Sequence, residues 1–234
     1  MNQGLVVVTG ASKGIGKAIV EKYGKEGFSV VACARNGNDL DKLQDSFKGF
    51  QGDLQGASLD MSIKDDVNKF SEIVKATNKP VKVLVNNVGV FLPGNIIDEP
   101  DGNLETQIAT NLYSAYYLTR GLMSLIEEHA GSHIFNMCST ASLAAYPNGS
   151  SYSITKYALL GFSHNLREEL KSKGIKVTAV LPGNTLTPSW GDPEALDKTR
   201  FIMPEDVADS VYSTSQLSSS TNIEEILIQP TLKQ

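Results

Sequence analysis

A wholly apolar segment near the start of the chain runs directly into a glycine-rich turn. The segment is Leu5–Val8, and the turn covers Thr9–Gly16 with the sequence TGASKGIG. A short apolar run without polar alternation is typical of a parallel strand that is covered on both faces. Apolar residues then recur at helical spacing, so the order is strand, glycine-rich turn, helix. That order predicts a βαβ unit that binds a dinucleotide pyrophosphate at the helix N-terminus.

The three glycines of this turn have separate expected tasks. Gly10 permits the tight turn, Gly14 lets the backbone approach a pyrophosphate, and Gly16 lets the helix pack close to the strand. Their spacing is Gly-x-x-x-Gly-x-Gly, which differs from the better-known Gly-x-Gly-x-x-Gly. A lone glycine-rich turn is often only a turn. The prediction of a phosphate site therefore depends on its place between a strand and a helix.

The end of the second predicted strand bears on which dinucleotide would bind. This strand covers residues 29–34, and Arg35 follows it directly. An NAD site of this topology usually has an acidic residue there to hold the ribose 2′-hydroxyl. With no carboxylate at that place, Arg35 is available to pair with a 2′-phosphate, and Lys13 in the glycine-rich turn offers a second cation. This favours NADP, while the alternative is that both are ordinary surface charges.

Strand-like and helix-like segments alternate along the rest of the chain. Further strands are predicted at residues 54–59, 81–85, 132–138, 175–181 and 224–229, and helices at about 38–47, 63–77, 103–128 and 151–173, with a short helix opening at 204. No internal repeat interrupts this alternation. It predicts one α/β domain over residues 1–234, with a doubly wound, seven-stranded, mostly parallel sheet between two layers of helices.

Several polar residues follow the predicted strands, at the edge where ligands of open parallel sheets bind. Asp60 ends the third strand and could hydrogen-bond an adenine amino group. Alternatively it belongs to the cap of the next helix, for which Ser62 is the better candidate. Asn86–Gly89 form a polar turn where backbone could approach a ligand. Asn111 is the odd polar residue in a long apolar helix, and Ser139 lies at the end of the fifth strand.

A tyrosine and a lysine lie one helical turn apart at Tyr152 and Lys156, on one face of a predicted helix. A free tyrosine has a pKa of about 10, so it is a poor proton carrier at neutral pH. A nearby lysine cation would lower that pKa and produce a general acid/base. The pattern alone is weak, because a half-buried tyrosine beside a solvated lysine is common on amphipathic helices.

Together these motifs resemble the short-chain dehydrogenase/reductase family, in its classical branch. In chain order, the resemblance is carried by Thr9–Gly16 (TGxxxGxG), Asn86–Gly89 (NNAG), Asn111, Ser139, Tyr152 with Lys156 (YxxxK), and Pro182 and Gly183 with Thr187 (PGxxxT). It covers nearly the whole chain and implies a Rossmann-type fold. Two departures stand out. Val88 replaces the alanine of NNAG, and the stretch between Thr187 and Pro204, which forms a substrate lid in the family, is short here.

The resemblance implies an NAD(P)H-dependent oxidoreductase that interconverts a carbonyl and a secondary alcohol by hydride transfer. Tyr152 would donate a proton to the carbonyl oxygen, and Ser139 would hydrogen-bond the same oxygen. Lys156 would lower the pKa of Tyr152 and bind the nicotinamide ribose. Asn111 would hold a water that links Lys156 to solvent. The implied substrate is a small ketone or a 3-ketoacyl thioester, including one bound to a carrier protein.

The implied cofactor is NADP, with NADPH preferred over NADH. Its contacts would come from the motif segments and from the ends of the second and third strands. They are Gly10, Ser12, Lys13, Gly14, Ile15, Gly16, Arg35, Asp60, Met61, Asn87, Gly89, Tyr152, Lys156, Pro182, Gly183, Thr185 and Thr187. Of these, Thr187 together with Thr185 would fix the nicotinamide carboxamide. Possible apolar walls of the substrate pocket are Phe91, Leu143, Ala144, Tyr146 and Trp190.

Other classes of function remain open at this stage. A non-catalytic nucleotide-binding regulator on the same fold is the main alternative, and a scaffold with a structural nucleotide is another. The family often forms dimers or tetramers through its long helices, so a homo-oligomer is expected, with Leu112, Tyr116, Tyr117, Phe162 and Leu166 as candidate contacts.

Composition and charge exclude several partners. The net charge is −5 without a basic run, which argues against nucleic acid or a membrane surface as a partner. No apolar run is long enough to span a bilayer, and the N-terminus lacks a secretory pattern, so a soluble cytoplasmic protein is expected. The histidines and cysteines show no metal-ligand spacing. Cys33 and Cys138 lie in apolar segments and are expected to be buried thiols.

Overall fold

The computed structural model describes residues 4–127, 131–188 and 196–232, and its centre is one seven-stranded sheet. The strands are β1 Leu5–Thr9, β2 Ser29–Ala34, β3 Leu54–Ser58, β4 Val81–Asn86, β5 His133–Met137, β6 Lys176–Pro182 and β7 Glu225–Ile228. They lie in the order β3-β2-β1-β4-β5-β6-β7, and every neighbouring pair is parallel. The predicted seven-stranded sheet is confirmed, and it is parallel throughout.

Helices cover both faces of the sheet. They are α1 Gly14–Lys25, α2 Gly37–Ser46, α3 Lys64–Lys75, α4 Asn103–Ile108, α5 Ser114–Glu127, α6 Ser150–Leu170 and α7 Pro204–Ser215. Side chains of α1, α2 and α7 pack with Val6 and Val8 of β1 on one face. Side chains of α3, α5 and α6 pack with Leu5 and Val7 on the other. The uninterrupted apolar sequence of β1 thus serves two cores at once.

The long helix predicted over residues 103–128 is helical from Asn103 to Glu127, but it is not α-helical throughout. A π-helical segment, Ala109–Tyr113, separates α4 from α5, and Asn111 lies at its centre. Segments of this kind occur mostly as single turns inside α-helices, often at functional sites. The apolar spacing of the flanking residues predicts a helix correctly. The same spacing does not reveal that one turn contains an extra residue, because the extra residue leaves the buried face of the helix almost unchanged.

The two cysteines are buried free thiols, as expected. Within the described ranges no helix is both long and apolar enough to cross a bilayer.

Deep in the sheet, His133 of β5 is almost fully buried and stacks on Phe135 at 3.9 Å between ring centroids. The Thr178 hydroxyl donates to the Ile223 carbonyl, so the His133 Nε2–H is the donor to Thr178 Oγ1, at 2.7 Å. His133 Nδ1 has no hydrogen-bond partner among the described residues. Burial, with a smaller effect from the Lys176 charge, lowers the pKa of His133 to about 2. The ring is therefore neutral in the folded protein.

We expect this histidine to make the protein sensitive to mild acid. The unfolded chain binds a proton at His133 below about pH 6.5, while the folded chain does not, so stability present above pH 6.5 is lost as the pH falls. The loss is about 1.4 kcal/mol per pH unit, or about 2 kcal/mol between pH 6.5 and pH 5. Urea unfolding of the wild type and of His133→Gln at both pH values measures it.

In this comparison the pH-dependent loss should shrink by about 2 kcal/mol in His133→Gln. The matched control is Asn165→Gln, an exposed position on α6 that does not titrate. This control should retain the wild-type dependence on pH. Equal dependence in the wild type and His133→Gln would contradict the prediction.

Candidate active site

The glycine-rich turn joins β1 to α1 and is locked to the turn after β4. The Asn87 side-chain amide donates to the carbonyls of Thr9, at 2.9 Å, and Gly10, at 3.0 Å. Gly10 has a φ of +67°, where a side chain would be strained, and a Cβ there would lie 2.9 Å from Val88 Cα. Thr9 Oγ1 accepts the backbone N–H groups of Asn87 and Val88. The two motifs therefore form one rigid unit between β1 and β4, where the strand order reverses.

The last motif also reaches this unit. A Cβ at Gly14 would lie 2.8 Å from Thr187 Cγ2, so Thr187 packs directly on the glycine-rich turn. The Thr185 hydroxyl instead donates to the Gly183 carbonyl, at 3.1 Å, and the Gly183 N–H pairs with Ile228 of β7. Of the two threonines, Thr187 is therefore the one beside the cofactor turn. Trp190 and the rest of residues 189–195 of the predicted lid segment lie outside the described residues.

At the end of β2, the charges differ in part from the expectation. Arg35 is exposed there, and its carbonyl accepts the Ser58 hydroxyl at 3.1 Å. Lys13, however, forms an ion pair with Asp39 at 3.2 Å, in the first turn of α2. Sequence reasoning missed Asp39, because its approach to the glycine-rich turn depends on how α2 lies on the sheet. Arg35 is thus the cation left available for a 2′-phosphate, and Lys13 is already paired.

Asp60 organises the turn before α3. Its carboxylate accepts the backbone N–H of Ser62, at 2.9 Å, and the Ser62 hydroxyl, at 2.7 Å. Asp60 N in turn donates to Asp66 Oδ2. Ser62 was the better candidate for the helix cap, but the residue at the cap position is Ile63, whose side chain makes no capping hydrogen bond. The side chain of Met61 is buried in the core, which leaves only its backbone for a cofactor.

Ser139, Tyr152 and Lys156 converge at the C-terminal end of β5. Ser139 Oγ accepts the N–H of Ala141, and a hydrogen bond from Ser139 acts to lower the pKa of Tyr152. Lys156 is buried, and its Nζ donates to the carbonyl of Met137 at 2.7 Å. The same Nζ lies 5.6 Å from the centroid of the Tyr152 ring. Strand β5 and helix α6 thus bring together three side chains from two predicted motifs.

The electrostatics of this group overturn one expectation. Burial raises the pKa of Tyr152, and the smaller effect of the Ser139 hydrogen bond lowers it only in part. Burial also lowers the pKa of Lys156 to about 8. The predicted lowering of the tyrosine pKa by the lysine is therefore wrong for this structure, since the loss of solvent is the largest effect on the phenol. Tyr152 is protonated at neutral pH, as a proton donor must be.

Asn111 is present as predicted, but its side chain has a different set of partners. Its amide accepts the N–H of Val90, at 2.7 Å, and donates to the Val90 carbonyl, at 3.0 Å, and to Thr155 Oγ1, at 2.9 Å. The Asn111 side chain, which was expected to hold a water, thus forms its hydrogen bonds with protein groups. Gln107, one helical turn earlier, binds Leu92 N and O in the same way. Sequence reasoning missed Gln107, although a second amide four residues before Asn111 was the signal for it.

Comparison with known proteins identifies the chain. Residues 4–195 match the model of the short chain dehydrogenase family. The chain belongs to the short-chain dehydrogenase family. It is therefore an oxidoreductase of the class that interconverts carbonyls and alcohols. Among its described residues, no group of three or more His, Cys, Asp or Glu side chains could hold a metal ion.

Relatives of this short-chain dehydrogenase match nearly the whole chain. Sepiapterin reductase of Chlorobaculum tepidum is 28% identical, covering 97% of this chain and 96% of the relative. Sulfoacetaldehyde reductase 2 of Chromohalobacter salexigens is 30% identical, covering 97% and 94%.

Solved structures agree with this family. L-sorbose reductase from Gluconobacter frateurii, complexed with NADPH and L-sorbose, has a TM-score of 0.89 at 26% identity, covering 97% of this chain and 95% of that one. A metagenomic short-chain oxidoreductase in complex with NADP has a TM-score of 0.83 at 31% identity, covering 98% of each chain.

Proposed function

We propose that this dehydrogenase reduces a ketone to a secondary alcohol with NADPH, and that Tyr152 supplies the proton. The observation that carries the proposal is the meeting of Ser139, Tyr152 and Lys156 beside the glycine-rich turn unit. Gly89, in the turn after β4, lies against these side chains, because a Cβ there would lie 3.5 Å from both Lys156 Nζ and Asn111 Oδ1.

Each of the three side chains has a distinct role in the proposed reaction. The reduced nicotinamide supplies the hydride for the carbonyl carbon. Tyr152 gives its phenolic proton to the carbonyl oxygen as negative charge develops there, and Ser139 holds that oxygen in place by a hydrogen bond. Lys156, a cation at neutral pH, lies beside the phenolate that remains once the proton has left. In the reverse direction, the Tyr152 phenolate takes the proton of an alcohol.

The chain offers a fitting cradle for a dinucleotide. The backbone N–H groups at the start of α1 suit a pyrophosphate, and Thr187 lies against the glycine-rich turn where the nicotinamide end would follow. Because all seven strands share one sheet, we propose that residues 1–234 form a single NAD(P)-binding domain. The proposed contacts are those predicted from the sequence, with Met61 acting through its backbone and Asp60 chiefly shaping the turn.

Arg35 supports NADP rather than NAD. It is exposed directly after β2, where the sequence has no carboxylate, and the nearby Asp39 is paired with Lys13. Two of the compared proteins, the metagenomic oxidoreductase and L-sorbose reductase, are NADP and NADPH complexes. A charge-assisted pair between a guanidinium and a phosphate contributes roughly 1.5–3 kcal/mol, which is about tenfold or more in affinity.

We expect Arg35→Ala to lower kcat/KM for NADPH about tenfold while leaving that for NADH almost unchanged. The effect arises because only NADPH carries the 2′-phosphate. Steady-state kinetics with both cofactors measure it, with Lys48→Ala as the control, since that cation is an exposed surface charge paired with Asp45 and lies outside the proposed cofactor contacts. If Arg35→Ala weakens both cofactors alike, the arginine stacks on adenine and does not recognise the phosphate.

The experiment that tests the function is a screen of NADPH and NADH oxidation over ketones, acetoacetyl thioesters, quinones and sugars. Turnover with at least one carbonyl, faster with NADPH, supports the proposal. A protein that binds NADPH but reduces none of them would instead be a nucleotide-binding regulator. Ser139, Tyr152 and Lys156 are all present, and their convergence argues against that alternative.

We also propose that the enzyme is a homo-oligomer. Tyr113 and Tyr116 are exposed on the outer face of the long helical region, with Tyr117 and Phe162 partly buried beside them. Aromatic side chains in such an arrangement favour an interface. Two further predicted contacts are less suited, because Leu166 is buried and Leu112 packs partly against the core.

A further inference from the structure

Two aromatic rings lie beside Tyr152 and remain substantially open to solvent. Phe91 contacts the Tyr152 ring edge-on, with centroids 5.3 Å apart, and its centroid is 6.4 Å from that of Tyr146. Phe91 is 46% exposed and Tyr146 is 42% exposed. We call Phe91 and Tyr146 the aromatic wall. Because these two side chains are not buried in the core, the apolar faces of their rings are available to a ligand at the Tyr152 hydroxyl.

The Phe91 half of the aromatic wall is held in place from below. Phe91 lies between Val90, whose backbone N–H and carbonyl both bind the Asn111 amide, and Leu92, whose backbone N–H and carbonyl both bind Gln107. Both amides are buried. Four side-chain hydrogen bonds thus fix the backbone on either side of one exposed phenylalanine. Such preorganisation lowers the entropic cost of binding a rigid ligand.

The Tyr146 half is held by close packing. A Cβ at Gly149 would lie 2.4 Å from Tyr146 Cζ, so the ring rests directly on the Gly149 backbone. The segments that carry the two rings are also tied together, because Gly94 N donates to the Asn148 carbonyl at 3.0 Å and Asn148 N donates to Asn95 Oδ1 at 3.1 Å. The aromatic wall is therefore a preformed surface that spans two loops.

The chemistry of the aromatic wall is uncharged. Phe91 is apolar, and burial raises the pKa of Tyr146 to about 12, so its phenol is neutral at any working pH. A carboxylate, sulfonate or phosphate placed against these rings would lose hydration without gaining a partner from them. An aromatic ring would stack on them with favourable edge or offset geometry.

We infer that the enzyme is specific for uncharged ketones that carry an aromatic substituent next to the carbonyl, and that the aromatic wall binds this substituent. The inference rests on the proposed function, since the carbonyl must reach Ser139 and Tyr152 while the ring lies on Phe91 and Tyr146. Asn111 and Gln107 act as positioning residues for Phe91.

The test compares two substrates with the same reacting group, 1-phenyl-1,2-propanedione and 1-cyclohexyl-1,2-propanedione. Their bulk is similar. Because the phenyl ring also conjugates with its carbonyl, the effect of the aromatic wall is read from how the ratio of kcat/KM values changes between the wild type and the variants. Aromatic pairing predicts that wild-type kcat/KM is roughly 2- to 10-fold higher for the phenyl compound. The preference should vanish in Phe91→Leu and in Tyr146→Leu, and persist in Tyr146→Phe, which keeps the ring. Sulfoacetaldehyde is the anionic comparator and should be the poorest substrate.

Two results would overturn the inference: equal kcat/KM for the phenyl and cyclohexyl compounds, or an unchanged ratio in Phe91→Leu. If the enzyme turns over neither compound, saturation-transfer NMR with the NADP⁺-loaded protein decides the matter. Binding of the phenyl compound that weakens in Phe91→Leu then supports the aromatic wall even though the proposed reductase activity fails. Binding that does not depend on Phe91 removes the inference as well.

Discussion

Tyr152→Phe is expected to lower kcat by about 10²-fold or more while NADPH binds almost as well as to the wild type. The substitution removes only the phenolic hydroxyl, and the remaining ring keeps its edge-on contact with Phe91. The hydroxyl acts when the carbonyl oxygen becomes negative, so its loss affects the transition state and not the bound cofactor. Single-turnover kinetics and a fluorescence titration with NADPH measure the two effects separately.

The matched control for this variant is Tyr157→Phe. Tyr157 lies on the same helix, five residues later, but its side chain is exposed. It should keep the wild-type kcat. A Tyr152→Phe enzyme that also keeps it would show that another group supplies the proton and would refute the proposed mechanism.

Gly16→Ala is expected to damage both stability and cofactor binding. A Cβ at this position would lie 2.2 Å from the Gly10 carbonyl oxygen and 2.5 Å from Asn87 Nδ2. Neither group can move freely, since the Asn87 amide donates to that same carbonyl at 3.0 Å. Relieving the overlap must push α1 away from the turn. Forced overpacking of this kind costs about 1–3 kcal/mol of the free energy of unfolding.

We expect the displaced turn to weaken NADPH binding about tenfold or more, because its N–H groups would no longer point at the pyrophosphate. Gly161→Ala is the control, since no atom lies within 4 Å of a Cβ there and the site is inside α6. In a helix this change is neutral or stabilises by about 0.5–1 kcal/mol. Thermal unfolding and an NADPH titration compare the two variants. Similar Tm and Kd values for both would contradict the prediction.

Much of the architecture was predictable because parallel sheets leave a strong local signal. Strands such as β1 and β6 are buried along their full length, so they must be apolar at every position or pair their polar groups. Each predicted strand overlaps the observed one, with ends that agree within one residue. The glycines, Ser139, Tyr152 and Lys156 were also visible, because their residue types and spacing follow from backbone geometry and helix periodicity.

The sequence by itself therefore determined the succession of strands and helices along the chain, the family, and the identity of the candidate site residues. Only the tertiary structure decided how those residues act on one another. Burial depends on the whole surroundings of a side chain, and it raised the pKa of Tyr152 where the spacing to Lys156 had suggested the opposite.

Partner choice among polar side chains was likewise a tertiary matter. Lys13 pairs with Asp39 from another βα unit, and Gln107 and Asn111 bind the loop that carries Phe91. These contacts join residues whose distance depends on how helices lie on the sheet. Local periodicity predicts which face of an element is buried, but it contains no information on which neighbour a buried polar group will meet.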